Sequence, residues 1–295
     1  WWATTSSARS SRGPVRKDVW WESGSRATNR TGADKAATGT INDHFSRIAE
    51  RYHDLRITDL DPVRFIAKEI RELVHIEAAD VGCGPGRYSL LLCKHLGKKL
   101  NLACVDANRQ MLRELNAFMK QHGITNFIPI NSAAEDLPFP NNTLDCIFAF
   151  NAVHHFILPS FLQECERVLK SAGYLFVYTR LQEQNRRNIW GRHFPKFAQK
   201  ETRLYTLRAF LRAVAEFPAL RIKWIEHFTY ARTSTVEFLA EQAKSHHYST
   251  FALYPLKELE DAIRAFRQNI KSHFGDVHEV QWLDENALFV ISKSC

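Results

Sequence analysis

Ala79-Asp80-Val81-Gly82-Cys83-Gly84-Pro85-Gly86-Arg87-Tyr88 is the stretch on which the fold turns. The residues before it, Val74 to Val81, carry enough apolar content for a buried strand, and Tyr88 to Leu96 read as an apolar-rich helix. Strand, glycine turn and helix follow one another. Glycine lacks a Cβ, so a run of alternate glycines takes backbone angles closed to other residues and lets a ligand approach the main chain. Such a loop suits a nucleotide-like cofactor. Its spacing is acid-x-G-x-G-x-G, not the dinucleotide G-x-G-x-x-G, so a dinucleotide oxidoreductase is disfavoured. A phosphate-binding P-loop fails as well, because Gly82 is followed five residues on by Arg87 and Tyr88 where Lys and Ser or Thr are needed.

The segments downstream continue one order. Leu100-Asn-Leu-Ala-Cys-Val-Asp106 is an apolar strand ending in a carboxylate 24 positions after Gly82, suited to accept both hydroxyls of a ribose. Asn131-Ser-Ala-Ala-Glu135-Asp136-Leu137-Pro138-Phe139-Pro140 follows, then the strand Leu144-Asp-Cys-Ile-Phe-Ala-Phe150 and the turn Asn151-Ala-Val-His154-His155-Phe156. A helix, glycine turn and fifth strand run from Phe161 to Tyr178.

In this order the motifs resemble the class I S-adenosylmethionine-dependent methyltransferases, and within them the type 11, quinone-biosynthesis-like small-molecule group. The resemblance covers about residues 41 to 180. It implies that Asp80, Gly82, Cys83, Gly84, Gly86, Asp106, Ala107, Glu135, Asp136 and Asn151 bind the cofactor, with Asp106 at the ribose and Asp136 at the adenine amino group. His44 to Tyr52 resembles the helix that closes over the cofactor, with Phe45, Ile48 and Tyr52 on one helical face. Packing of that face against the sheet explains the same spacing. The cofactor implied is S-adenosyl-L-methionine, leaving as S-adenosyl-L-homocysteine.

Strands near 76–81, 100–106, 126–130, 144–150 and 173–179 alternate with helical patterns, which predicts a mainly parallel sheet with helices on both faces. Ala219 to Tyr230 and Ala287 to Ser292 read as two further strands. The resemblance makes them the antiparallel edge of a Rossmann-like, seven-stranded α/β fold. Residues 41–295 then form one methyltransferase domain, with 181–215 and 233–280 as a helical substrate cap. Residues 1–40, rich in Ser, Thr, Arg and Gly and without apolar period, read as a disordered basic leader or an artefact.

The net charge of +8 is local: residues 1–40 carry +4 and residues 181–230 carry +6, so the remainder is near neutral. No nucleic-acid module is evident, which disfavours an RNA-modifying enzyme built on the basic cap. A cofactor-binding module without catalysis is the remaining alternative. In the cap, Arg186, Arg187, Arg192, Lys196, Lys200 and Arg203 are interleaved with Trp190, His193, Phe194, Phe197 and Tyr205. These supply aromatic walls and, for an anionic acceptor, cationic partners; a solvated helical insertion has the same look. Trp190, His193, His247 and Tyr248 are the candidate contacts to a small-molecule acceptor, anionic or aromatic.

Methyl transfer from a sulfonium needs positioning and exclusion of water, and a general base only where the accepting atom holds its proton. His154 and His155, just past the fourth strand, are the candidate bases, with His247 and Tyr248 next. Packing and loop ordering would occupy the same residues. The six cysteines show no C-x-x-C pair and no metal spacing with histidine, so the expectation is reduced thiols, no metal and a cytoplasmic setting. No run is long and apolar enough to span a membrane, and no secretory signal is recognisable.

Overall fold

Side chains on a strand alternate between the two faces of a sheet, and the fifth strand shows what this chain does with both. Phe176 and Tyr178 join one apolar core, with Ile66, Leu92, Met119 and Phe148. Leu175 and Val177 join the other, with Phe161, Leu162, Phe210 and Phe289. A sheet buried on both faces is the consequence. The architecture is that of a computed structural model, which describes residues 57–294; the leader 1–40, the 44–52 helix with Tyr52, and Cys295 lie outside the described residues.

The sheet holds seven strands: β1 (Ile76–Val81), β2 (Leu100–Asp106), β3 (Phe127–Asn131), β4 (Leu144–Phe150), β5 (Leu169–Thr179), β6 (Leu220–Ser234) and β7 (Val280–Lys293), in the order β3-β2-β1-β4-β5-β7-β6. The first five are parallel, and β7 runs antiparallel to both β5 and β6. This is the Rossmann-like α/β sheet expected of the sequence. The order reverses between β1 and β4, and open α/β folds bind ligands beyond the carboxyl ends of the strands at such a switch point.

Helices α1 (Asp61–Glu69), α2 (Arg87–Leu96) and α3 (Arg109–Gln121) cover one face, and α4 (Leu158–Val168) the other. Asn108 caps α3 by accepting from the backbone N–H of Gln110 and Met111. Past β5 the chain makes the short helices α5 (Gln182–Arg187), α6 (Ile189–His193) and α7 (Phe197–Lys200), then α8 (Leu207–Ala215); between β6 and β7 it makes α9 (Val236–Lys244) and α10 (Leu256–Phe274).

The two segments read as the cap share a core. Ile189, Trp190, Phe194 and Phe197 of the first share a third core with Leu239, Phe251 and Phe266 of the second, so the cap is one body. Phe210 and Val214 of α8 pack instead into the core under the sheet, which ends the first cap segment before α8. The edge strands are longer than predicted. Pairing of β6 with β7 runs from Leu220–Lys293 to Ser234–Val280, because backbone pairing carries through the polar run Asp284-Glu285-Asn286 that hid the start of β7. Among the described residues no helix is long and apolar enough to cross a membrane.

Candidate active site at the carboxyl edge of the sheet

Gly82, Gly84 and Gly86 all have positive φ, of 70°, 54° and 90°. Gly82 is also a close approach: a Cβ there would lie 2.5 Å from Ala152 Cβ and 2.9 Å from the Phe156 ring. Gly84 faces the other way, with nothing within 4 Å of a Cβ built on it. The loop is therefore packed on one side and open on the other. Asp106, at the end of β2, pins it: Gly84 N donates to Asp106 Oδ2 at 2.9 Å and Asn108 N to Asp106 Oδ1 at 2.8 Å. Burial raises the Asp106 pKa, and these two backbone donors oppose that rise. Cys83 packs in the loop beside Cys104, and burial first, then Cys104, pushes its thiol well above the ordinary value, so it is no nucleophile.

Asp80, the penultimate residue of β1, is 1% exposed. Ser89 Oγ donates to its Oδ2 at 2.6 Å, while Oδ1 has no partner among the described residues. Burial, countered by Ser89 and reinforced by Asp106, pushes its pKa up to about 7. A buried carboxylate with an idle oxygen beside an open loop fits a ligand that carries positive charge. Asn131 braces the other side, its Nδ2 donating to the carbonyls of Asp106 and Ala107 at 3.0 Å each. Glu135 Oε1 accepts from Ile157 N at 2.7 Å and so fixes the turn after the histidines, whereas Asp136 is half-buried in the preceding loop.

The strand β4 delivers that turn. Asn151 takes φ of 51°, its N–H donating to Tyr178 O at 2.7 Å, and the chain then forms the single turn Val153–His155. The rings of His154 and His155 lie 4.0 Å apart, centroid to centroid. They face a cavity of about 140 Å³ between the sheet edge and the cap, to which Tyr88 and Asn151 contribute from below and Trp190, Glu201, His247 and Tyr248 from above. Tyr88 is held by a parallel stack on Phe150 at 4.2 Å.

Two ion pairs line the cavity. Arg180 Nη2 meets Asp284 at 2.5 Å, and its Nη1 donates to Tyr248 Oη at 3.3 Å; Arg232 Nη2 meets Asp59 at 2.6 Å. Glu201, 3% exposed, is held by Arg203 and by Thr250 Oγ1 at 2.6 Å. No metal-binding cluster of His, Cys, Asp and Glu occurs among the described residues.

Residues 79–177 match the family model of a methyltransferase domain. They form a methyltransferase domain. The chain is 28% identical over 131 residues to the methyltransferase YcgJ of Bacillus subtilis, covering 44% of this chain and 51% of that one. It is 28% identical over 115 residues to demethylmenaquinone methyltransferase of Listeria monocytogenes, covering 37% and 48%. The chain thus spans about half the length of these curated relatives. In fold, the YcgJ crystal structure superposes with a TM-score of 0.58 at 16% identity, over 79% of this chain and 98% of that one. The [4+2]-cyclase SpnF superposes with a TM-score of 0.52 at 15% identity, over 79% and 80%.

Of the residues singled out in the sequence, the methyltransferase domain brings Asp80, the three glycines and Asp106 together at the loop. Asn151, His154 and His155 meet Trp190, His247 and Tyr248 across the cavity. His193 is not with them: its ring packs on His273 at 4.7 Å and Phe274 at 5.6 Å on the far side of the cap, where burial, His273 and Arg192 lower its pKa. Trp190 is 3% exposed and serves mainly the cap core, stacked on Phe266 at 5.2 Å.

The expected cationic partners for an anion also lie elsewhere. Arg187 pairs with Glu285 at 2.9 Å, and Lys196 and Lys200 share Glu258 at 3.1 and 2.9 Å. Sequence reasoning missed Arg180, Glu201, Arg232 and Asp284. Arg180 had a signal, its place one residue beyond β5 at the ligand edge; Glu201 had none.

Proposed function

We propose that this chain is an S-adenosylmethionine-dependent methyltransferase acting on a small, uncharged acceptor that bears a hydroxyl. The observation that carries the cofactor assignment is the open side of Gly84 between two carboxylates, Asp80 and Asp106. Asp106, beyond its two backbone bonds, keeps lone pairs for a ribose, and the idle oxygen of Asp80 suits a cationic amino-acid end. When bound, the cofactor would supply an electrophilic methyl on a sulfonium and leave as S-adenosylhomocysteine, neutral at sulfur.

The residues of the chain do the rest. Tyr88, Asn151, Trp190 and Tyr248 hold the acceptor and keep water out, so that positioning carries most of the rate. His154 or His155 takes the hydroxyl proton, and the proton passes from the imidazole to water when the cavity opens. Two of the cavity arginines, Arg180 and Arg232, are matched by the carboxylates of Asp284 and Asp59, which argues against an anionic acceptor on that side of the cavity. A cytoplasmic setting belongs to this reading and agrees with the free thiols of Cys83, Cys93, Cys104, Cys146 and Cys165.

Calorimetric titration of the purified chain with S-adenosylmethionine, S-adenosylhomocysteine and NAD tests the cofactor. Binding of the first two and not of NAD is expected, and a preference for NAD overturns the reading. A screen of hydroxyl-bearing acceptors with methyl-labelled cofactor then tests the acceptor class; label transferred only to anionic acceptors, or to RNA, would replace it.

A further inference from the structure

Three buried carboxamides, Gln184, Asn185 and Asn188, open the cap. Two of them serve the backbone. Gln184 Oε1 accepts from Leu181 N at 2.8 Å and Asn188 Oδ1 from Gly191 N at 2.8 Å, so each is spent at the head of a short helix. Asn185, between them, does neither. It is 3% exposed and lines the cavity, and among the described residues its Nδ2 is enclosed without a hydrogen-bond partner. Burying an unmatched amide costs about as much as losing a hydrogen bond, so a fold that keeps one there gains nothing from it by itself.

The backbone beneath that amide is held firmly. Asn185 N donates to Leu181 O at 2.8 Å, and a Cβ built on Gly191 would come within 2.0 Å of Asn185 O. Only a glycine lets α6 fold back so closely on α5. A second carboxamide, Asn286 of β7, lines the same cavity at 5% exposed, and its side chain makes no hydrogen bond among the described residues. The cavity carboxylates have other donors: Arg203 holds Glu201, Arg180 holds Asp284 and Arg232 holds Asp59. A half-turn about its terminal bond exchanges the two ends of an amide, so Asn185 can meet a ligand with its donor.

We propose that Asn185, together with Asn286, is the specificity contact of the cavity, donating to a carbonyl oxygen carried on the same acceptor molecule as its hydroxyl. The inference rests on the small-molecule methyltransferase reading and narrows its acceptor. A carbonyl suits the two amides because its oxygen has two lone pairs, one for each donor, and it brings no charge into the cavity. Where it is conjugated with the hydroxyl, the hydrogen bond to it strengthens as the proton leaves, since negative charge spreads onto the carbonyl oxygen. A molecule without the carbonyl leaves the amides buried and unmatched, and the site discriminates against it.

The test compares para-hydroxyacetophenone with para-ethylphenol, which share ring, hydroxyl and length and differ in the carbonyl oxygen. Their affinities for the whole chain are read by ligand-observed NMR titration, with S-adenosylhomocysteine present and absent. The ketone is expected to bind about tenfold tighter, and that preference to fall below about twofold in Asn185→Leu. Equal binding of the two phenols, binding of neither, or a preference that survives in Asn185→Leu overturns the proposal. A loss that falls on both phenols alike leaves the preference standing and so counts as survival. Should Asn185→Leu fail to fold, Asn286→Leu takes its place with the same expectation and the same overturning result. Titration with S-adenosylhomocysteine alone keeps the two readings apart. Its failure to bind, with the ketone preference intact, sinks the methyltransferase reading and leaves the amide contact; binding without the preference does the reverse.

Discussion

At the scale of single residues, the loop separates effects on folding from effects on ligand. Gly82 and Gly84 share a left-handed backbone, yet only Gly82 has neighbours where a Cβ would go. Gly82→Ala is therefore expected to cost about 2–4 kcal/mol of stability, conformational strain added to overpacking against Ala152 and Phe156. Gly84→Ala is expected to cost only ~1 kcal/mol and still abolish S-adenosylmethionine binding, because its side chain fills the open cradle. Thermal melts with and without cofactor check both, and a Gly84→Ala protein that binds normally places the ligand elsewhere. Asp80 makes a prediction in pH. Its folded pKa, about 7, lies above the ordinary carboxylate value, so the stability it allows is complete at low pH and is lost as pH rises toward 7. Asp80→Asn is expected to raise the melting temperature of the cofactor-free protein at pH 8, by at least the equivalent of ~1 kcal/mol, and to change it little at pH 4. The same substitution should weaken the cofactor. A melting point lowered at pH 8 would mean that the buried charge is satisfied by something other than ligand.

At the scale of elements, the cap stands apart because its core is its own. Phe266 of α10 is fully buried, its ring 5.2 Å from Trp190 and 5.4 Å from Phe194. Phe266→Ala is expected to cost about 3–5 kcal/mol, borne by the cap alone. Hydrogen exchange is the check: amides of α9 and α10 should lose protection while those of β1, β4 and β5 keep theirs. Uniform loss would mean that cap and sheet unfold together. Strand, loop and helix around Asp80 were legible because their signals are local: an apolar run, glycines at fixed spacing, a carboxylate at the next strand end. The union of the two cap segments was not, since the stripe 256, 259, 263, 266 and 270 shows that α10 buries a face and is silent on what it buries it against. Likewise the basic run in 181–230 read as a feature of the pocket, although Glu285 pairs with Arg187 and Glu258 with Lys196 and Lys200, partners that lie far along the chain.

Across the whole molecule, one arginine ties sheet, edge hairpin and cap. Arg180 leaves β5 and spends its donors on Glu285 O at 3.3 Å, Asp284 Oδ1 at 2.5 Å and Tyr248 Oη at 3.3 Å, while its guanidinium lies 5.5 Å from the Tyr248 ring centroid. Asp284 and Arg232 stand 4.0 Å apart, and Arg232 reaches on to Asp59, so the cap is seated on a chain of alternating charges. Removing Arg180 leaves Asp284 with only the 4.0 Å contact to Arg232, which Asp59 already shares. Arg180→Met is expected to cost about 3–5 kcal/mol, and Arg180→Met with Asp284→Leu to recover most of that, because losing both partners removes the stranded charge. The readout at this scale is the fluorescence of Trp190 in the cap, with the other six tryptophans replaced by phenylalanine, against the far-ultraviolet circular dichroism of the sheet during denaturant unfolding. For the single variant the tryptophan transition should come first, separated from the sheet's; in the double variant the two should again coincide. Coincident curves in the single variant would show that Arg180 contributes to stability without seating the cap, and the cap would then owe its place over His154 to the long β6–β7 pairing alone.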